Sequence, residues 1–283
     1  MELNLFVARR LIENFLLEDI SFGDITTNSI VREDVDSEGY IISREKGVVA
    51  GLPLVETVFQ ILDPKISCRM LVQDGQVIEP GMVLVEIAGQ ARAILTGERL
   101  ALNLLQHLSG IATRTARLVE LATGGKAHIV DTRKTTPGLR IIEKYAVRVG
   151  GGYSHRFGLF DAVLIKDNHI KIAGGIKPAV EAARRGAPHT ARIEVEVEDF
   201  AGVREALAAR ADIIMLDNMA PLEMAQAVDM IDGRALVEAS GGITEENIGA
   251  VARSGVDLIS VGALTHSVRS LDIGLDLKEI KRR

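Results

Sequence analysis

Eight basic residues fall between Asp131 and Lys171, a density that suits recognition of a small polyanion. Arg133, Lys134, Arg140, Lys144, Arg148, Arg156, Lys166 and Lys171 are set against Asp131, Glu143, Asp161 and Asp167, a local charge of +4 in a chain of net charge −6. Long nucleic acids need an extended basic surface, so an acidic chain with one confined cationic stretch is expected to have no nucleic-acid partner. A compact ligand fits better, because Arg and Lys clamp carboxylates and phosphates with short charge-assisted hydrogen bonds. A solvated helix face with scattered charges is the plainer alternative. Position weakens it, since several of these residues stand where apparent strands end.

Acidic residues follow downstream. Glu194, Glu196 and Glu198 alternate with Val195 and Val197, and period two places all three carboxylates on one strand face. Carboxylates turned into a barrel are costly unless they meet cations, a metal or hydroxyls. Asp217, followed by Asn218, can join one of them around Mg²⁺ or sugar hydroxyls. Two glycine turns, Ser240-Gly241-Gly242 and Val261-Gly262-Ala263, present backbone N–H groups ahead of expected helix starts, an arrangement that cradles phosphate. The six histidines show no zinc-ligand spacing, and the single Cys68 leaves no thiolate set. His155 and His169 draw interest because they sit in the cationic stretch. Neither a GxSxG elbow nor a P-loop is present.

A scaffold must bring these loops together. From His128 onward the short apolar runs HIVDT, DAVLIKD, RIEVEV, DIIMLD, ALVEAS and DLISVGA alternate with helical segments such as IKPAVEAARRG and NIGAVARSG. That alternation predicts parallel α/β structure. No dinucleotide-type GxGxxG follows the first run, which favours a barrel over a doubly wound sheet. Six runs fall short of the eight of a full barrel, so an incomplete or open barrel is expected, with its site at the carboxyl ends of the strands. Upstream, the stretch from about Ser37 to Ile94 reads as strands turned at Asp74-Gly75 and Pro80-Gly81, an antiparallel sheet.

The N-terminus reads as an amphipathic helix, with Leu5, Leu11, Ile12, Phe15 and Leu16 near helical spacing. A long helical pattern runs from Thr96, as N-cap, to about Ala122, with a break expected at Gly110. Arg99 in its first turn opposes the helix dipole, as if answering an anion outside its own segment. At 283 residues, two domains are expected. The lone cysteine suits a reducing, cytoplasmic setting. Glu2, Glu13, Glu18 and Asp19 argue against a secretory signal, and no uncharged apolar run approaches the ~20 residues of a membrane span.

Taken together, GDITT at 23–27, ERLALNLLQHLSGIAT at 98–113, DTRKTTPGLR at 131–140, GGGYSHRFGL at 150–159 and LIKDNHI at 164–170 resemble the quinolinate phosphoribosyltransferase family. EVEVED at 194–199, MLDNM at 215–219, EASGGIT at 238–244 and ISVGALTHSVRSLDIGL at 259–275 extend the resemblance over nearly the whole chain. It implies an N-terminal α/β sandwich domain over 1–113, completed by 266–283, and an open α/β barrel over 114–265. The implied reaction joins quinolinate to 5-phosphoribosyl-1-pyrophosphate with Mg²⁺, giving nicotinate mononucleotide, pyrophosphate and CO2 in NAD biosynthesis.

Carried over position by position, Arg99, Thr132, Arg133, His155, Arg156 and Lys166 embrace the pyridine dicarboxylate, and Lys134 meets substrate and pyrophosphate. Glu196 and Asp217 serve the ribose and, through water, the metal, although the strand register allows Glu194 in place of Glu196. Ser240–Gly242 and Val261–Ala263 hold phosphate. Lys134, Glu196 and Asp217 are then the residues nearest the chemistry. The resemblance also implies a homodimer or a higher assembly of dimers, with Arg99 reaching the neighbouring subunit's site. Competing readings are a ModD-like relative with another substrate, a Schiff-base aldolase using Lys166, and a phosphosugar sensor without turnover.

Overall fold

The computed structural model describes residues 3–278. Along the chain run α1 (Leu5–Ile20), α2 (Ile25–Ile30), β1 (Asp36–Ser43), β2 (Gly47–Val48), α3 (Leu52–Leu62), β3 (Ser67–Met70), β4 (Val77–Ile78), β5 (Val83–Gln90) and α4 (Ala91–Leu121). There follow β6 (His128–Val130), α5 (Arg140–Val149), β7 (Val163–Ile165), α6 (Asp167–Ala173), α7 (Ile176–Gly186), β8 (Ile193–Val197) and α8 (Phe200–Ala208). The chain then continues through β9 (Ile213–Asp217), α9 (Pro221–Ile231), β10 (Leu236–Ser240), α10 (Ile248–Arg253), β11 (Leu258–Ser260), α11 (Ala263–His266) and β12 (Ile273–Leu277). Two compact units result. One takes the chain to Arg114, Thr136–Gly151 and the stretch from Ser267; the other takes Thr115–Thr135 and Gly152–His266.

The first unit holds an antiparallel sheet in the order β12-β1-β5-β3. Burial alternates along β1, with Ser37, Gly39, Ile41 and Ser43 inside, the period expected of a sheet with one face covered. Helix α1 buries Ala8, Ile12 and Leu16, while Leu5 at its start stays exposed. Within the stretch read as strand lies a helix, α3. Its Val, Thr, Phe and Ile favour strands in isolation, but burial overrides that preference: Leu54, Val55, Val58 and Phe59 are all inside. Asp74 caps it, its carboxylate accepting the Gly51 and Leu52 N–H groups at 2.8 and 3.1 Å. The same residue opens the turn whose Gly75 has φ +91°.

Strand β5 leads straight into α4, which begins five residues before Thr96. Thr96 is therefore no cap, and its hydroxyl donates to Asp24 at 3.1 Å. Arg99 lies beyond the first turn, so its conflict with the helix dipole disappears. The break expected at Gly110 is absent as well: α4 continues through it to Leu121. A Cβ at Gly110 would stand 2.2 Å from the Arg269 carbonyl oxygen, so the glycine marks a close crossing of two chain segments.

Helix α5 groups with this first unit, whereas 114–265 as a whole was expected in the barrel. Its contacts explain the difference. The Tyr145 hydroxyl donates to Asp74 at 2.6 Å, and fully buried Glu143 lies 2.9 Å from the His107 ring and accepts the Thr136 N–H at 3.0 Å. The C-terminal contribution is described as far as Lys278, with β12 pairing β1; residues 279–283, also expected here, lie outside the described residues.

The second unit is a six-stranded parallel sheet in the order β6-β11-β10-β9-β8-β7. Every apolar run expected to be a strand is one. β6 and β7, successive strands in the chain, form opposite edges, which makes the barrel open. Tyr153 makes an isolated parallel bridge to Val130 at the β6 edge, so the segment that follows it, with His155 and Arg156, is carried along that edge.

Candidate active site

At the carboxyl ends of β6 and β7 lies a cavity of about 140 Å³ lined by Thr132, Arg133, Lys134, His155, Arg156 and Lys166, all of them singled out in the sequence. Leu164, Met215, Glu238, Ser240 and Ser260 complete it. Its walls are tied locally. Asp131, fully buried, accepts the His155 N–H at 2.8 Å; the Thr132 hydroxyl accepts the Lys134 N–H at 3.0 Å; and the Thr265 hydroxyl donates to the Lys134 carbonyl at 2.8 Å. Asp161 accepts the Phe157 and Gly158 N–H groups at 2.6 and 2.9 Å, fixing the turn after Arg156.

Arg156 is the most telling residue. Its guanidinium donates to the Ala162 carbonyl at 3.3 Å, but its Nε is buried with no hydrogen-bond partner. Burial, and after it the charge of Arg133, hold its pKa below the ordinary arginine value, against the opposing pull of Glu194 and Asp161. A partly dry cation beside a second cation is costly until an anion arrives.

The two glutamates of β8 and Glu198 just beyond it part company. Glu194 is 3% exposed and its carboxylate lies 3.1 Å from the His155 Nε2. Glu196 forms an ion pair with Lys166, and Glu198 is exposed. Asp217 stands opposite Ser240 in the β9–β10 register and accepts the Asn218 side-chain amide at 2.8 Å. Glu196 and Asp217 are hard oxygen donors at neighbouring strand ends, which fits Mg²⁺, an ion that takes one or two carboxylates plus water and substrate phosphate.

Both glycine loops come up against site residues. A Cβ at Gly241, where φ is +86°, would lie 2.2 Å from the Asn218 side-chain oxygen, and one at Gly262 would lie 3.0 Å from the Lys134 side chain. Val261 is buried, and Ala263 begins the one-turn α11. The first loop does not run directly into a helix as expected, because α10 begins only at Ile248. Asn247 ties the loop instead, accepting the Thr244 N–H at 2.9 Å and donating to the Gly242 carbonyl at 2.8 Å.

Other expectations fare differently. Arg99 is an exposed residue of the first unit, where it lines a hollow with Glu18 and Asp19. His169 caps α6, its Nδ1 accepting the Lys166 N–H at 3.0 Å. His155 lines the cavity but engages both ring nitrogens within the protein, as Nδ1 accepts the Arg156 N–H at 2.7 Å and Nε2 faces Glu194. Glu238 was not anticipated. It is 1% exposed and 3.6 Å from the His155 Nε2, and burial, reinforced by Glu194, pushes its pKa up to about 8. The only sequence signal was one acid in the middle of the apolar run ALVEAS.

Comparison with known proteins covers both units. The family description Quinolinate phosphoribosyl transferase, N-terminal domain, matches residues 24–109, and its C-terminal domain counterpart matches 111–276. A protein of Bacillus subtilis named probable nicotinate-nucleotide pyrophosphorylase (carboxylating) is 46% identical over 275 residues, covering 97% of this chain and 95% of the relative. A Methanocaldococcus jannaschii protein of the same name is 47% identical over 279 residues, covering 95% and 97%. The crystal structure of NadC from Streptococcus pyogenes superposes with a TM-score of 0.94 at 43% identity, covering 99% of this chain and all of that one.

Proposed function

The chain belongs to the quinolinate phosphoribosyltransferase family, and on that basis we propose that its barrel cavity seats quinolinate, with the ribose and phosphates of the second substrate toward β8–β11. The enzyme transfers the phosphoribosyl group of 5-phosphoribosyl-1-pyrophosphate to quinolinate with loss of CO2, forming nicotinate mononucleotide and pyrophosphate in NAD biosynthesis. The observation that carries the seating is the buried, unpartnered Nε of Arg156 beside a second arginine.

Arg133, Arg156 and Lys166 hold the two carboxylates so that the ring nitrogen faces the anomeric carbon. Lys134, packed against the Gly262 loop, reaches from the pyridine toward the pyrophosphate. Glu196 and Asp217 steady the positive charge that develops on the ribose. Glu196 and Asp217 would also hold Mg²⁺, which would supply charge neutralisation for pyrophosphate. The N-ribosylated ring is a pyridinium, an electron sink that lets the 2-carboxylate leave as CO2 without a protein nucleophile. An aldolase lysine needs a dry pocket, whereas the Lys166 side chain is 46% exposed and ion-paired. Incubation with quinolinate, 5-phosphoribosyl-1-pyrophosphate and Mg²⁺ is expected to release CO2 and pyrophosphate in equal amounts. Pyrophosphate without CO2, or neither, would remove quinolinate as the substrate.

The working assembly in this proposal is a cytoplasmic homodimer in which Arg99 serves the neighbouring subunit's site. Arg99 is exposed, and Phe6, Leu17, Phe22, Ile25 and Ile30 leave an apolar surface open on the first unit. The single Cys68 suits a reducing compartment. Arg99→Ala and Lys166→Ala are each expected to be nearly inactive. After refolding an equal mixture, half the dimers are mixed and each carries one intact site, so about a quarter of all sites should recover. Mixed dimers as inactive as their parents would return Arg99 to its own subunit.

A further inference from the structure

One short turn of chain holds Lys134 at two points. Thr265, 131 residues further along, donates its hydroxyl to the Lys134 carbonyl at 2.8 Å. Gly262 lets the Lys134 stem lie across the same turn, since a Cβ there would stand 3.0 Å from the lysine's Cδ. On the other side of the residue, the Thr132 hydroxyl accepts the Lys134 N–H at 3.0 Å. Both peptide groups flanking Lys134 are therefore tied by threonine hydroxyls, and its side chain starts from a fixed backbone.

A threonine on a helical turn ordinarily bonds a carbonyl of the turn before it, and Thr265 has the Gly262 carbonyl within reach at 3.3 Å. Two facts direct the hydroxyl elsewhere. The Gly262 carbonyl already accepts the N–H groups of Thr265 at 3.1 Å and His266 at 3.2 Å, which occupies both of its lone pairs. The Lys134 oxygen is also the nearer of the two, and a hydroxyl has a single proton to give. Thr265 is 2% exposed, which leaves water little room to replace the bond.

We propose that Thr265 is a positioning residue for phosphoribosyl transfer: its hydroxyl locks the Lys134 peptide to the 261–266 turn, so that the lysine ammonium meets the second substrate already aligned. The inference rests on the reading that residues 261–263 hold phosphate and that Lys134 meets the pyrophosphate. One turn then governs both contacts to 5-phosphoribosyl-1-pyrophosphate, the first through its own backbone and the second through a lysine of the loop after β6. A free lysine stem loses much rotational freedom when it is fixed. Anchoring its backbone and seating its stem removes part of that loss before the substrate arrives. Thr265 is not among the residues lining the cavity assigned to quinolinate, so its effect reaches that acid only through Lys134.

Thr265→Val removes the hydroxyl at nearly constant volume, and Thr265→Ser keeps it. The valine variant is expected to lose about 10- to 100-fold in kcat/KM for 5-phosphoribosyl-1-pyrophosphate, the scale of leaving a carbonyl without its donor. The serine variant should stay within about threefold of the wild type. Quinolinate affinity, measured alone by titration calorimetry, should change by less than about threefold in both. A double-mutant cycle with Lys134→Met separates positioning from packing: on that background Thr265→Val should lower kcat/KM by less than about twofold, because the lysine it positions is gone. Wild-type kcat/KM in the valine variant, a loss that serine does not restore, or an equal loss with and without Lys134 would each overturn the inference and leave the proposed function standing. Failure of the wild type to turn over quinolinate with 5-phosphoribosyl-1-pyrophosphate would overturn that function, and the inference with it. Thr265→Ala carries the same expectations and decides the matter if the valine variant does not fold.

Discussion

Arg156→Ala is expected to lower kcat/KM for quinolinate by roughly 30-fold to several thousand-fold, the equivalent of about 2–5 kcal/mol for leaving a carboxylate unpaired in a closed site. Two features put it high in that range. Its Nε is already buried without a partner, and Arg133 stands close enough to oppose its charge, so a carboxylate there would relieve both. Truncation should also be selective. Nicotinate, which lacks the 2-carboxylate, should be a poor substrate for the wild type and lose less on the substitution. Steady-state kinetics with both acids checks this, and comparable turnover of the two by the wild type would contradict recognition of a dianion.

Asp217→Asn is expected to reduce kcat by roughly 100-fold, the usual scale for removing one preorganised electrostatic group from a transition state, while quinolinate binding measured alone stays unchanged. Glu196→Gln should lose kcat similarly but with a further signature. Its carboxylate pairs with Lys166, so neutralising it frees a cation beside the pyridine site, and quinolinate should bind equally well or more tightly. Loss of quinolinate affinity in Asp217→Asn would contradict the separation of ribose and pyridine roles. Greater damage from Glu194→Gln than from Glu196→Gln would exchange the two glutamates.

Much of the barrel was legible because its strands are buried on both faces and read as short apolar runs, and because their last residues are polar. That pattern located Arg133, Lys134, Lys166 and Asp217 without any knowledge of how strands neighbour one another. Failures came where a partner distant in sequence decides the outcome. Gly110 looks like a helix breaker until Arg269 is seen crossing it. Leu52–Leu62 looks like strand until Asp74, more than ten residues later, caps it. Glu238 could not be weighed at all: what makes it unusual is Glu194 from β8 and His155 from the β6 edge, a coincidence of three segments. Glu143 was passed over for the same reason, since its partner His107 lies on α4.

The order in which strands join the first sheet bears on how the chain is born. β1 is synthesised well over two hundred residues before one of its two neighbours, β12, which pairs Gly39–Ser43 with Ile273–Leu277. For most of translation β1 can therefore satisfy one edge only, through β5, and its other row of backbone groups is left open to unwanted pairing. The barrel residues, inserted between these two strands in the sequence, must all be made before that edge is closed. A nascent or truncated chain without β12 would be vulnerable at β1, far in sequence from the missing residues.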